Sequence, residues 1–302
     1  MKTCRIIYNP MSGKKLFEKA LPIVTKRLEA LGFTCNIDKT AYAKHAIELV
    51  KNAAYDRVNL VVVSGGDGTM NEIINGIADI DNPPVIGYIP SGTSCDLAKS
   101  LGIPKNIEKA LNIIEQNYHV KMDVLKSSHG YFNYVSAIGN YVDISYITES
   151  ALKRRIGYLA YIITGVKEFF TIPMIKTKIE TPTRSFEGYY SLIMAVNSKR
   201  VASFNMVRKP ILDDGKLDII LYPYIPLLNN ILYLLTFVLN LPVPLIKKLK
   251  TNKIKILTDH PKRWNVDGEA ANAGNQFIEV VPKKLPIIIN PKKAKYFKHQ
   301  SE

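Results

Sequence analysis

The chain has 302 residues, of which 47% are apolar and 22% charged, an ordinary globular composition that needs no disulfide or metal staple to hold its core. Its three scattered cysteines and five dispersed histidines exclude a disulfide framework and a zinc-finger spacing, and they fit a reducing cytosol. The formal net charge of +15 favours a polyanionic partner such as phosphates or an anionic membrane face, while the absence of a basic zipper or ribonucleoprotein signature argues against nucleic acid.

The first ten residues are no signal peptide, because the apolar stretch Ile6–Tyr8 is far too short. Cys4–Tyr8 reads as a strand and is followed by the loop Asn9–Gly13. Leu16, Ala20, Ile23, Val24, Leu28 and Leu31 recur at helical spacing, and Gly32 stops that helix. Phe33, Cys35 and Ile37 alternate as in a strand that ends near Thr40, and Ala46–Ala53 is helical. Leu60–Val63 is a continuous apolar run, the pattern of a strand buried on both faces. Ile73, Ile74 and Ile77 mark the next helix, Val85–Ile89 the next strand, and Cys95–Leu101 begins another helix. This alternation predicts a doubly wound parallel sheet over residues 1–122.

Near Lys121 the pattern changes. Short β-like runs dominate: Lys121–Leu125, Tyr131–Ala137, Tyr189–Asn197, Leu217–Tyr222, Lys253–Leu257 and Phe277–Pro282. Ser150–Phe170 and Leu227–Leu239 are helical exceptions. The reading is an α/β domain over 1–122 and a mainly antiparallel β-sandwich over 123–286, with the tail 287–302 returning to the first. Ile225–Ile246 carries no charge and is followed by Lys247, Lys248 and Lys250. Pro226, Pro242, Pro244 and three asparagines interrupt it, so it reads as a helix plus loop that lies on a membrane rather than crossing it, with a buried core helix as the alternative. From Lys247 onward, thirteen basic residues face five acidic ones.

Three polar, glycine-bearing loops follow strands of the first domain: Asn9-Pro10-Met11-Ser12-Gly13, Ser64-Gly65-Gly66-Asp67-Gly68-Thr69, and Ser91-Gly92-Thr93-Ser94-Cys95-Asp96. Glycines at a strand-to-helix turn let the backbone approach a phosphate, and the helix N-terminus supplies free N–H donors. The second loop is not a dinucleotide fingerprint, because Asn71 stands where the third glycine would be, and no Walker A sequence occurs. In an open parallel sheet, ligands bind at the carboxyl ends of the strands, so the three loops, with Thr40 on a fourth, converge on one crevice suited to a nucleotide.

Gly65–Thr69, followed by Asn71 and Glu72, resembles the Gly-Gly-Asp-Gly-Thr signature of the diacylglycerol, sphingosine and ceramide kinases. Asn9–Gly13 resembles the family's Asn-Pro-x-Ser-Gly, and Leu212-Asp213-Asp214-Gly215 and Asn265-Val266-Asp267-Gly268-Glu269 resemble two later motifs. The matches run in order from residue 9 to residue 269, and among the branches of that family the chain resembles the soluble bacterial diacylglycerol kinases. The family's Gly-Thr-x-Asn-Asp motif reads Gly92-Thr93-Ser94-Cys95-Asp96 here, with cysteine in place of an asparagine. The resemblance implies an NAD-kinase/phosphofructokinase-like α/β domain joined to a β-sandwich, with the active site between them.

It further implies an ATP-dependent lipid kinase that converts diacylglycerol to phosphatidic acid with Mg²⁺. ATP would be held by Asn9, Pro10, Met11, Ser12, Gly13, Thr40, Gly65, Gly66, Asp67, Gly68, Thr69, Asn71, Glu72, Gly92 and Thr93. Asp67 and Asp96 would bind or orient Mg²⁺–ATP. Asp267 or Glu269 would activate the hydroxyl, Asp267 being the first choice because glycine flanks it. A structural Mg²⁺ would take the Asp214 carboxylate and the Ile211 and Lys216 carbonyls, with Asp123 in its solvent network. Asp213–Gly215 and Asp267–Glu269 also read as ordinary turns between strands. The expected setting is the cytoplasm, peripherally on an anionic membrane, and a homodimer is left open. The rival readings are a kinase of another lipid alcohol such as a sphingoid base, an NAD-kinase-like or sugar kinase of a soluble substrate, and a non-catalytic nucleotide or lipid sensor.

Overall fold

The computed structural model describes residues 2–13, 16–140, 142, 172–201 and 204–298; the helix expected over Ser150–Phe170 lies outside them. The first part alternates strictly: β1 (Lys2–Tyr8), α1 (Leu16–Ala30), β2 (Phe33–Lys39), α2 (His45–Tyr55), β3 (Leu60–Gly65), α3 (Asp67–Ile77), β4 (Val85–Pro90), α4 (Asp96–Leu101) and α5 (Ile107–Glu115). The four strands are parallel in the order β2-β1-β3-β4. All six residues of β3 are buried, as a central strand covered on both faces requires. The register pairs Tyr8 with Lys39 and with Ser64, and Ser64 with Ile89. The strands therefore end level, and the loops that follow them open at one edge of the sheet.

The second part comprises β5 (His119–Ser127), β6 (Gly130–Phe132), β7 (Val135–Gly139), β8 (Ile175–Glu180), β9 (Ser185–Val196), β10 (Arg200–Val201), β11 (Phe204–Asn205), β12 (Leu217–Pro223), α6 (Asn229–Tyr233), β13 (Lys247–Thr251), β14 (Lys253–Leu257), β15 (Arg263–Val266), β16 (Glu269–Ala273) and β17 (Gln276–Ile288). The long strand β9 pairs with β8 through Ser185–Tyr190, with β7 through Leu192–Val196, and with β12 on its other edge, all antiparallel. Switching partners along one strand lets the sheet wrap a core of Phe132, Ile193, Ile219, Ile256, Trp264 and Ile278. Along β12, Ile219 and Leu221 enter this core, while Ile220 and Tyr222 face the opposite side, under α6.

β17 joins the two parts. Its first half pairs with β14 and β5, and its end places Ile287 opposite Ile86 in β4, parallel. The register shifts between Val281 and Leu285, where Lys283 takes a left-handed φ of 55° and its N–H donates to Asp123 Oδ1 at 2.9 Å. Beyond β17, Tyr296 and Phe297 pack in the core of the first part. Tyr131–Ala137, read from sequence as one strand, is broken into β6 and β7 at Asn133–Tyr134. The amides there are drawn out of the ladder by a carboxylate.

Candidate active site

The three loops meet at the level carboxyl ends of β1, β3 and β4. Asn9 N–H donates to Ser64 O (2.9 Å), Ser91 N–H donates to Gly65 O (2.9 Å), and Ser91 Oγ donates to Ser12 Oγ (2.9 Å). The Asn9 side chain accepts from Met11 N–H at 2.9 Å and donates to Thr69 Oγ1 at 3.3 Å, which ties the first loop to the first turn of α3. Thr40 N–H donates to Tyr8 O. The backbones approach too closely for side chains: a Cβ on Gly92 would lie 2.5 Å from Gly66 Cα, and one on Gly13, at φ +61°, would lie 2.7 Å from Ser91 O. Gly66 precedes α3 in an extended conformation, so the first-turn N–H groups point into the crevice without intrahelical acceptors.

Asp67 opens α3. Its Oδ2 accepts from Cys95 N–H at 2.7 Å, whereas its buried Oδ1 has no hydrogen-bond partner among the described residues. Burial, and then the charge of Asp96, push its carboxyl above the usual range. Asp96 is buried and pairs with Lys99 at 3.1 Å. Cys95, where the resembled family has asparagine, is buried at a left-handed φ of 52° and serves the loop through its N–H. Asparagine suits that backbone better than cysteine does. Lys105 donates to Thr93 O, placing a cation at the mouth of the crevice.

Asn71 and Glu72, expected beside ATP, are turned to other tasks. Glu72 accepts from Lys44 N–H (2.9 Å) and Ala46 N–H (3.2 Å), capping the start of α2. Asn71 donates to Asp267 Oδ2 at 3.2 Å. Asp267 is buried with both oxygens engaged: Oδ2 also accepts from Asn133 N–H (2.7 Å) and Asn133 Nδ2 (2.9 Å), and Oδ1 from Tyr134 N–H and Val135 N–H (3.0 Å each). Burial pushes its pKa up to about 6, against these donors. A carboxylate so occupied is a clasp, with no lone pair aimed at a substrate. Asn75 extends the clasp, donating to Tyr131 O (2.7 Å) and accepting from Tyr131 N–H (2.9 Å). Two residues further along the chain, Glu269 is exposed, and its Oε1 lies 3.8 Å from where a Cβ on Gly68 would stand. The hairpin of β15 and β16 thus sets one acid in the wall and the other over the glycine loop.

The Asp213–Lys216 turn lies at the junction of the two parts. Asp123 Oδ2 accepts from Gly215 N–H (2.7 Å), and Asp213 Oδ1 accepts from Lys298 N–H (2.7 Å). Asp214 Oδ1 accepts from Lys216 N–H (3.1 Å), and its Oδ2 lies 3.5 Å from Lys250 Nζ. Among the described residues, no group of three or more His, Cys, Asp or Glu is arranged to hold a metal ion.

Comparison with known proteins bears directly on this site. The diacylglycerol kinase catalytic domain family model matches residues 3–127. A diacylglycerol kinase of Staphylococcus carnosus (strain TM300) is 34% identical over 271 residues, covering 89% of each chain. The chain belongs to the diacylglycerol kinase family. A diacylglycerol kinase of Bacillus subtilis (strain 168) is 31% identical over 274 residues, covering 89% of this chain and 90% of its own. A crystal structure of a diacylglycerol kinase from Bacillus anthracis str. Sterne superposes with a TM-score of 0.77 at 25% identity, covering 96% of this chain and 98% of its own. The α/β part with its antiparallel companion is thus the fold of this family, and the protein is a lipid kinase, a phosphotransferase with an alcohol acceptor. Among the described residues, no helix is long and apolar enough to cross a membrane.

Sequence reading missed Asn133, Asn75 and Lys105. An asparagine within a β-like run carries no local signal of a carboxylate more than a hundred residues away.

Proposed function

We propose that this member of the family transfers the γ-phosphoryl group of ATP to the free hydroxyl of diacylglycerol, giving phosphatidic acid, with Glu269 as general base. The observation that carries the reading is the placement of the Glu269 carboxylate beside Gly68, at the positive end of α3. A phosphate cradled by Asn9–Gly13, Gly65–Thr69 and Gly92–Thr93 would lie between the helix N-terminus and that carboxylate. A hydroxyl bound there would give its proton to Glu269 as its oxygen attacks the γ-phosphorus in line, and the bond to the β–γ bridging oxygen would break to release ADP. Asp267 is left the task of holding the hairpin, because its oxygens already accept five N–H bonds. Residues 1–122 with the tail from 287 would serve the nucleotide and 123–286 the lipid, reached at an anionic membrane surface.

Phosphate-bound Mg²⁺ fits the crevice: Asp67 Oδ1 is a buried hard donor without a hydrogen-bond partner among the described residues, and Asp96 stands beside it. The ion would offset charge on the phosphates, and the two aspartates would orient it. A second Mg²⁺ would rest on the Asp214 carboxylate and the Ile211 and Lys216 carbonyls, near Asp123, bracing the junction.

The test is turnover of ATP with diacylglycerol in mixed micelles, reading phosphatidic acid. Glu269→Gln should lower kcat by about 10²–10⁴-fold with an unchanged melting curve. Wild-type turnover in that variant would remove Glu269 from the mechanism. Phosphorylation of NAD, a sugar or a sphingoid base in preference to diacylglycerol would overturn the substrate.

A further inference from the structure

We infer that the uncharged segment after β12 forms the surface by which the protein docks on an anionic lipid bilayer, a proposal that rests on the lipid-kinase reading for its purpose. α6 continues into a π-helical turn, Leu234–Val238, and a loop to Ile246. Leu227, Ile231, Leu234, Val238, Leu241 and Leu245 recur every three or four residues and face water together. Leu227 is 94% exposed and the other five are 49–64% exposed. A ridge of so many exposed apolar side chains within one short segment calls for an occupant. Its helix is too short to cross a bilayer.

The inner side of the same segment is firmly anchored, so the ridge is built rather than frayed. Asn229 is buried, donating to Ser191 Oγ (2.8 Å) and Pro223 O (2.7 Å) and accepting from Ile225 N–H (2.8 Å). Phe237 packs against Tyr222, Tyr233 and Phe204 with ring centroids 5.5–5.6 Å apart. Leu235 is half-buried, on the flank between the two faces.

Charge decides between a bilayer and a second copy. Exposed Lys247 and Lys248 follow the ridge on the edge strand β13. Two copies meeting ridge to ridge would bring these cations together, whereas an anionic bilayer satisfies both the apolar ridge and its basic rim. The ridge also connects to the active site: Phe237 touches Phe204 in β11, and beside that strand pair Ser198 Oγ bonds Ser100 Oγ of α4 at 2.8 Å. α4 begins at Asp96.

The experiment uses the full chain with phosphatidylcholine vesicles containing phosphatidylserine. Wild-type binding should fall, but not vanish, as salt rises. Leu227→Glu with Ile231→Glu and Val238→Glu should weaken vesicle binding about tenfold or more, keep a cooperative melt, and leave ATP binding and turnover of a short-chain, monodisperse diacylglycerol unchanged. Leu227→Trp should shift its emission to the blue on adding vesicles, against the fully buried Trp264. Unchanged vesicle binding by the triple variant, or unchanged Leu227→Trp emission, would overturn the docking surface. A dimer that the triple variant dissociates without loss of vesicle binding would overturn it too. If the triple variant unfolds, the Leu227→Trp emission decides. Failure of the wild type to phosphorylate the monodisperse lipid would count against the proposed function alone, because the vesicle measurements stand apart from turnover.

Discussion

Asn71 Nδ2, on the helix that follows the glycine loop, donates to Asp267 Oδ2 at 3.2 Å, joining α3 to the hairpin that carries Glu269. Glu269 therefore reaches the glycine loop only while Asp267 holds the hairpin against Asn71 and against the Asn133–Val135 amides.

The clasp makes Asp267 a stability residue first. Asp267→Ala would strand three backbone amides in a buried site and should cost about 3–5 kcal/mol, seen in a denaturant titration. The pH dependence has a definite sign. The ordinary aspartate pKa near 3.9 applies to the unfolded chain, and burial raises the folded value to about 6. Between these values the folded state holds a proton that the unfolded state has released. This group's contribution therefore declines as pH rises through that window and is level above it. Asp267→Asn should abolish that part of the slope.

Asp67 shows the opposite balance. Its Oδ1 is buried without a hydrogen-bond partner among the described residues and its charge meets that of Asp96, so the folded state gains little from the anion. Asp67→Asn should keep the bond from Cys95 N–H, melt at or above the wild-type temperature, and lose turnover. Wild-type turnover would remove Asp67 from the site.

The two facing glycines should differ. A Cβ on Gly92 would meet Gly66 Cα at 2.5 Å, whereas a Cβ on Gly66 would meet Gly92 Cα at an ordinary 3.4 Å. Gly92→Ala must push two loop backbones apart and should raise KM for ATP and lower kcat. Gly66→Ala, at φ −94° and ψ −169°, should fold normally and lose much less. Equal effects in steady-state kinetics would show that the loops are not held in this contact.

The Asp214 turn is tested by metal rather than turnover. If Mg²⁺ braces the junction, added magnesium should raise the wild-type melting temperature by mass action, and Asp214→Ala should abolish that rise. An equal rise in both proteins would place the stabilising ion elsewhere.

Apolar runs, helical spacing and glycine loops depend on neighbours within a few residues, so the sequence alone determined the alternating first part, the change near Lys121, the three converging loops and the uncharged segment before Lys247. It could not divide labour between Asp267 and Glu269: both sit in one short turn, and only the partners delivered by β6, β7 and α3 bury one and leave the other at the crevice. Likewise, Asn71 and Glu72 look like parts of a phosphate signature, yet on a helix adjacent residues point about 100° apart, so one turns to Asp267 and the other to the start of α2. The exposure of Leu227 and Val238 was also a tertiary matter, because an uncharged helix reads the same whether it is core or ridge. What separated them was Asn229 and Phe237 filling the inner face, which left Leu227 and Val238 on the outside.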